Sequence, residues 1–566
     1  MNKRVLGGWA WCLCCSVGAQ TEIPDPSAEL QRQERQRQEL RSGLELKPWS
    51  FDVGDQAKRD ELLPHEHPCA QISRVVIEGH LSSAAMELAV NGPNGQDAPN
   101  GRCLGGQGVT VLIQRVQEAL MLQGYITSHV QAPKQDLNTG ILLLQIAEGR
   151  VARIRSEKGT EALPRLAWAT QEGAVLNLRD IEQSSENFQR LPSLQAEIQI
   201  QPGDSDGTSD LVANLHAQRP LRLGLSLDDG GSRSTGRLQG NASLSWDNPF
   251  GLAHLFYVAS GKDMGDRDRG PRGTRNRIVH YSVPWGYWLL STTWSSNEYR
   301  QTVFGPYESY LYRGTSDQRE LSLSRVLRRD GVSKTVASVK GFVRRSNNHI
   351  ADLEVLVQRR RTAGWEAGLE HLQRLPAGVL TTQLTYRRGT GAFGAQAAPE
   401  EITGQGTGRM RLLVGGLHWR QPLQAEGQPW QYSAHMQWHW GLTRLTTQDQ
   451  ICLANRSAVR GFDGQQTLCG DRGLVLRQEI ATELAGGGVL GSGLQAYLAL
   501  DAGRANTPGQ RAGGRLAGMS VGVRGTQRLG TAPSFEWEFS LGRPLSMPDG
   551  FVTARTTTTL RLRAEF

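Results

Sequence analysis

The sequence predicts an α+β N-terminal part, built as two small modules, followed by a membrane-spanning antiparallel β-barrel. Three observations carry that prediction. Apolar and polar side chains alternate with a two-residue period from about Arg219 to the C-terminus. A mixed pattern of helical and strand-like segments occupies the region from Cys69 to Gln218. The N-terminus reads as an export signal, and no later stretch is apolar enough over about 18 residues to form a spanning helix.

The elements follow in order. Lys3 and Arg4 precede an apolar run from Val5 to Cys15, and Val17-Gly18-Ala19 offers small residues for cleavage after Ala19, so residues 1–19 read as a signal peptide. Residues 20–68 read as a helix and a linker. Glu29–Arg41, ELQRQERQRQELR, contains strong helix formers but is polar all round, which suits a solvated helix or one in a polar cavity. Ser42–Pro68 lacks an apolar period and reads as linker. Overall composition excludes a disordered polyelectrolyte: 21% of residues are charged, and the net charge of +8 is spread along the chain, so nucleic-acid binding is not expected. The 66 glycines, about 12% where about 7% is usual, show no three-residue period.

Residues 69–150 form the first predicted module. Ile72, Val75, Val76 and Ile77 read as a strand, Val109–Gln123 as a helix ended by Gly124, and Tyr125–Val130 and Ile141–Ile146 as further strands. Residues 151–218 form the second, with a strand at Val151–Ile154, a helix at Arg179–Leu191, and strands at Leu194–Ile200 and Leu211–Leu215.

From 219 to 566 the alternation takes over. Leu221, Leu223, Leu225 and Leu227 share one face, as do Tyr432, Ala434, Met436, Trp438 and Trp440, and Leu560, Leu562, Ala564 and Phe566 at the end. An apolar and a polar face repeated over this length fits lipid outside and water inside. The 348 residues suit sixteen strands of about ten residues with their connections. Tyr281, Trp285, Tyr287 and Trp288 are candidates for an interfacial aromatic girdle.

Residues 69–566 resemble the TpsB transporters of two-partner secretion, the hemolysin secretion/activation group. The resemblance is carried by GYITSHVQAP (Gly124–Pro133), ILLLQIAEGRV (Ile141–Val151), LNLRDIEQSSENFQRLPS (Leu176–Ser193), LSWDNPFGL (Leu244–Leu252), YSVPWGYW (Tyr281–Trp288), VRGF (Val459–Phe462), CGDRG (Cys469–Gly473) and LDAG (Leu500–Gly503). It implies two tandem POTRA domains in the periplasm, a 16-stranded outer-membrane barrel, and a plug helix, for which Glu29–Arg41 is the candidate. It also implies that VRGF lies on a long extracellular loop folded into the barrel, with Arg460 pairing Asp501. Gly461 lets the tip bend and Phe462 wedges against the wall, where the family often has Tyr. These four residues are the candidate latch.

In that topology Cys69 and Cys103 lie in the periplasm and Cys452 and Cys469 outside, which selects the pairings 69–103 and 452–469 among the three that four cysteines allow. The implied function is ATP-independent export of an unfolded TpsA-type exoprotein (a hemolysin, adhesin or contact-dependent toxin), with lipid and the barrel assembly machinery as further partners. Candidate contacts for that chain are Tyr125, Ile126, Ser128, Val130 and Arg150, where POTRA sheet edges invite β-augmentation. Two other readings compete: an assembly factor that inserts other barrels, and an outer-membrane enzyme using Ser433, His435, His439 and Asp449 on the polar side. No catalytic residue, cofactor or metal site is expected. His65-Glu66-His67 sits in a linker and lacks further ligands.

Overall fold

The computed structural model describes residues 62–566 apart from 93–94, 158–162, 266–271, 305–306, 426, 455–457, 485–491, 510–512 and 529–533. The expected signal peptide and the candidate plug helix therefore lie outside the described residues.

In the first module, helices α1 (Ala84–Val90) and α2 (Gly106–Leu122) cover a sheet ordered Arg74–Glu78, Ile141–Ala147, His129–Gln131. Leu112, Val116 and Leu120 on α2 close over Leu142, Leu144 and Ile146, as the helical and alternating periods require. A separate strand pair, Ala70–Ile72 with Arg102–Leu104, carries the Cys69–Cys103 disulfide at its edge. The single strand expected around residues 72–77 is thus two short strands in different sheets. Helix α1 and the strand at 102–104 had no clear signal in the sequence. Most of Tyr125–Val130 is a turn, and only His129–Gln131 pairs. The end of the linker is not free: Leu63 is buried, its N–H donates to Asp97 at 2.8 Å, and Glu66 accepts from the N–H groups of Gly105, Gln107 and Gly108 at the start of α2. Burial opposes ionisation of Glu66, but these three donors prevail and hold its carboxyl below the usual range.

Gly124 locks the two modules together. Its φ of +96° is open to glycine, and a Cβ there would lie 2.3 Å from the Asn177 side chain. The second module pairs Arg150–Ser156, Thr208–Ala217 and Leu194–Pro202 in that spatial order, covered by α3 (Leu178–Gln189).

Sixteen long strands, from Leu221–Asp228 to Thr557–Glu565, close into an antiparallel barrel when the last pairs with the first. Arg222 spans that seam, reaching Glu565 at 2.9 Å and Asp247 at 3.4 Å. Strand parity sorts the side chains as expected: Leu221, Leu223 and Leu225 face out, while Arg222 faces the lumen. Strands are short near the seam and longest at Ser309–Arg329, so the wall is taller on one side.

The WDNPFGL motif is the joint between module and barrel. Asp247 accepts from Ser193 N–H at 2.9 Å, and the turn after it holds Asn248 at φ +51°, its side chain accepting from Ala253 N–H. Helix α3 lies on the periplasmic rim. Glu186 pairs with Arg329 and Lys334, Asn187 donates to the Gly286 carbonyl at 2.8 Å, and Arg190 donates to Ser282 and to the Ala253 carbonyl. Burial works against Glu186 ionising, but the two cations keep its carboxyl below the ordinary value. Tyr287 is not a girdle residue. It sits in a periplasmic turn, and its hydroxyl donates to Asp180 on α3.

Candidate functional site

A closed barrel with polar inner positions is already a passage, so the decisive question is what occupies it. The connection 442–471 leaves the extracellular end of Gln428–Gly441 and folds back into the lumen before Arg472–Glu483. Its two arms pair as Ile451–Leu453 with Leu468–Gly470, joined by the Cys452–Cys469 disulfide. Both cysteine pairings implied by the resemblance are therefore present.

Asp449, buried in the outer part of the loop, approaches Arg344 at 3.4 Å and Arg387 at 3.7 Å on the wall. The tip goes deeper. Arg460 donates from Nε and Nη2 to the two carboxylate oxygens of Asp501, both at 2.8 Å, and its backbone N–H adds a third bond at 2.9 Å. Its Nη1 reaches Glu479 at 2.6 Å, and Arg524 holds the other Glu479 oxygen at 2.9 Å. The Asp501 side chain is 0% exposed. A forked guanidinium on a dry carboxylate is the strong form of this interaction, and it leaves a costly unpaired charge if the partner is removed.

Packing completes the contact. Phe462 is fully buried with Leu453, Val459, Val475, Ala505 and Leu516, and it meets Phe551 edge-on at 5.9 Å. Gly461 has φ +96°, and a Cβ there would lie 2.5 Å from the Arg543 carbonyl oxygen. Two wall glycines that the sequence reading missed make room for the tip. A Cβ on Gly518 would lie 2.0 Å from the Arg460 carbonyl oxygen, and one on Gly542 would lie 2.9 Å from Gly461 Cα. Their signal was a glycine inside a strand, which marks a close backbone approach without saying whose.

The candidate substrate contacts fall at the junction of the two modules. Ser128 and Val130 are buried: the Ser128 hydroxyl accepts from Gly149 N–H, and Val130 N–H donates to Gln117. Tyr125 packs on the first core and Ile126 on the second. Arg150 is exposed, pairs with Glu148 at 2.6 Å, and starts an edge strand of the second sheet. Of the residues weighed for catalysis, Ser433, His435 and His439 share the strand Gln428–Gly441, and Asp449 lies against His439. His435 meets His418 edge-on at 6.0 Å, while Asp449 is engaged by the wall arginines. No group of three or more metal-ligating side chains occurs among the described residues.

The sequence pattern of the haemolysin secretion/activation protein family ShlB/FhaC/HecB matches residues 207–525, and POTRA patterns match 94–149 (ShlB-type) and 150–202. The chain is 32% identical over 527 residues to the outer membrane transporter CdiB-2 of Burkholderia pseudomallei (strain 1026b), covering 89% of this chain and 88% of that one. It is 27% identical over 465 residues to the hemolysin transporter protein ShlB of Serratia marcescens, covering 81% and 80%. The solved structure of CdiB from Escherichia coli superposes with a TM-score of 0.81 at 28% identity, covering 95% of this chain and 98% of that one.

Proposed function

Since this chain belongs to the ShlB/FhaC/HecB family of haemolysin secretion/activation proteins, we propose that its pore is held shut by the loop tip and opens when the Arg460–Asp501 contact is released. The protein is an outer-membrane transporter of two-partner secretion, with its POTRA domains in the periplasm and a TpsA-type exoprotein as its partner. The observation that carries the latch is the placement of Arg460 between Asp501 and Glu479, inside the lumen that an exported chain must traverse.

The order of events follows from the parts. An unfolded exoprotein is captured along POTRA sheet edges. The start of the Arg150–Ser156 edge is already covered, Val151 N–H donating to the Ala174 carbonyl at 2.9 Å and Gly173 N–H donating to the Val151 carbonyl at 2.8 Å. That leaves the Leu194–Pro202 edge on the other side of that sheet. Ser128, whose hydroxyl accepts from Gly149 N–H, braces the chain leading into Arg150, while Val130 is buried in the core of the first module. Entry of chain into the lumen competes for Asp501 and Glu479, the tip withdraws, and the chain advances. The sequence has no phosphate-binding loop, and direction comes from folding outside, which removes unfolded chain from the equilibrium. Replacing Arg460 by Ala tests the latch: secretion of the partner falls while the barrel still inserts. Wild-type secretion by Arg460→Ala refutes it.

A further inference from the structure

A cation on the lipid face of a barrel is costly near the midplane, at about 2–4 kcal/mol, and nearly free at the interfaces. Outward arginines therefore report where the membrane ends and what meets the protein there. On four consecutive strands, Ser333–Ile350, Arg360–Leu375, Gly378–Thr390 and Arg411–Ala425, the outward positions are fixed by register. Val339, Leu369 and Leu384 are exposed on that outer face. Toward the extracellular end of the same face, Arg345 stands opposite Arg361, Trp365 opposite Arg388, and Arg388 opposite Arg411. Arg409 follows just before the last of these strands, and all five arginines are exposed.

The acidic residues that these strands carry point the other way. Glu366 binds Lys340 and Arg387 in the lumen, and Glu370 accepts from Gln383 there. Arg345, Arg388 and Arg411 form no ion pair among the described residues. Trp365, Arg388, Gly389, Thr390, Arg409 and Arg411 line an open cleft of about 430 Å³, with Tyr386 edge-on to Trp365 at 5.6 Å. From Gly378 at the periplasmic turn to Arg388 is about 33 Å of strand, or about 23–27 Å along the membrane normal at the usual tilt. That places the guanidinium groups at the outer rim of the apolar band, with Trp365 beside Arg388 on the neighbouring strand.

We propose that this cleft binds a phosphate-bearing glycolipid of the outer leaflet. Arg388 and Arg411 grip its phosphates, a sugar ring lies against Trp365, and the acyl chains run down past Leu369, Leu384 and Val339. Forked arginines match phosphate oxygens two at a time, and the apolar wall beneath them suits an amphiphile rather than a free anion. Snorkelling cations alone would ask only for positive charge. The site asks for fork geometry as well.

The test uses the full-length protein, extracted in mild detergent, stripped of lipid and titrated with diphosphoryl lipid A, with its dephosphorylated form and with inorganic phosphate. Arg388→Ala/Arg411→Ala is expected to weaken diphosphoryl lipid A binding by about a hundredfold, about tenfold for each charged hydrogen-bonding group. Arg388→Lys/Arg411→Lys is expected to recover only part of this. Arg325→Ala, which removes an outward arginine stacked on Trp288 near the periplasmic rim, leaves binding unchanged. Heat-modifiable gel mobility confirms a folded barrel in each variant. Equal binding by wild type and the double alanine variant overturns the proposal, as does full recovery with lysines or equal affinity for the dephosphorylated lipid. Displacement of the lipid by an equal concentration of inorganic phosphate would make this a free-anion site and overturn it too.

Discussion

Gly518→Ala removes no charge and no hydrogen-bonding group, yet it is expected to disable the loop latch. The three atoms nearest to a Cβ at this position all belong to the tip: the Arg460 carbonyl oxygen at 2.0 Å, its carbon at 3.1 Å, and the Phe462 ring at 3.4 Å. Ordinary contact begins near 3.4 Å, so the carbonyl must withdraw by about 1.4 Å. A shift of that size along the Arg460–Asp501 direction takes bonds of 2.8 and 2.9 Å to about 4 Å, beyond hydrogen bonding. Breaking a buried pair costs about 3–5 kcal/mol, so the withdrawn state should gain roughly two to three and a half orders of magnitude in population. Planar-bilayer recordings should show frequent or long-lived high-conductance states, and secretion of the partner should fall as for Arg460→Ala. Gly341→Ala is the control, because its Cβ would meet nothing within 4 Å. Wild-type conductance and secretion by Gly518→Ala would refute the close approach as a functional requirement.

Further outcomes follow from other contacts. Asp449→Asn removes the acid that ties the outer part of the loop to Arg344 and Arg387, so 442–454 should become sensitive to external protease while the barrel still inserts; unchanged protection counts against this second tie. Asp97→Asn should destabilise the first module by about 3 kcal/mol, because Arg115 is left buried beside a neutral group; thermal unfolding of that module checks it. Burial opposes ionisation of Asp97, but Arg115 and the Leu63 N–H hold its carboxyl below the ordinary range. This contribution is therefore fully present above the unfolded value of about 3.9 and is lost as pH falls below it. Hydrogen-exchange protection factors in α2 should be flat from neutral pH down to about 4 and drop below that.

The barrel was legible because a wall with lipid on one side and water on the other imposes a period of two on every strand. Leu221 and Arg222, or Leu369 and Glu370, reveal their faces without any knowledge of neighbours. Helix α3 shows where that reasoning stops. Its Glu182, Gln183, Ser184, Ser185, Glu186 and Asn187 are all polar and run right round the helix, a composition that suits solvent, yet all are buried. Arg329 and Lys334, which neutralise Glu186, lie more than a hundred residues away in sequence. Gly518 and Gly542 failed for the same reason, since the backbone they admit comes from a different loop. Asp501 was found only through the resemblance, because one acid in an apolar-alternating strand does not name its cation.

The account stands on the exported chain passing through the lumen rather than along the outside of the barrel. Gln383 and Leu384 are adjacent and both exposed, but Gln383 bonds to Glu370 inside while Leu384 faces lipid. Cysteines placed singly at 383 and 384 can be tested for disulfide formation with a cysteine in a partner exoprotein stalled during export. The account predicts cross-linking at 383 and none at 384. Cross-linking at 384 alone, or at both positions equally, would contradict it.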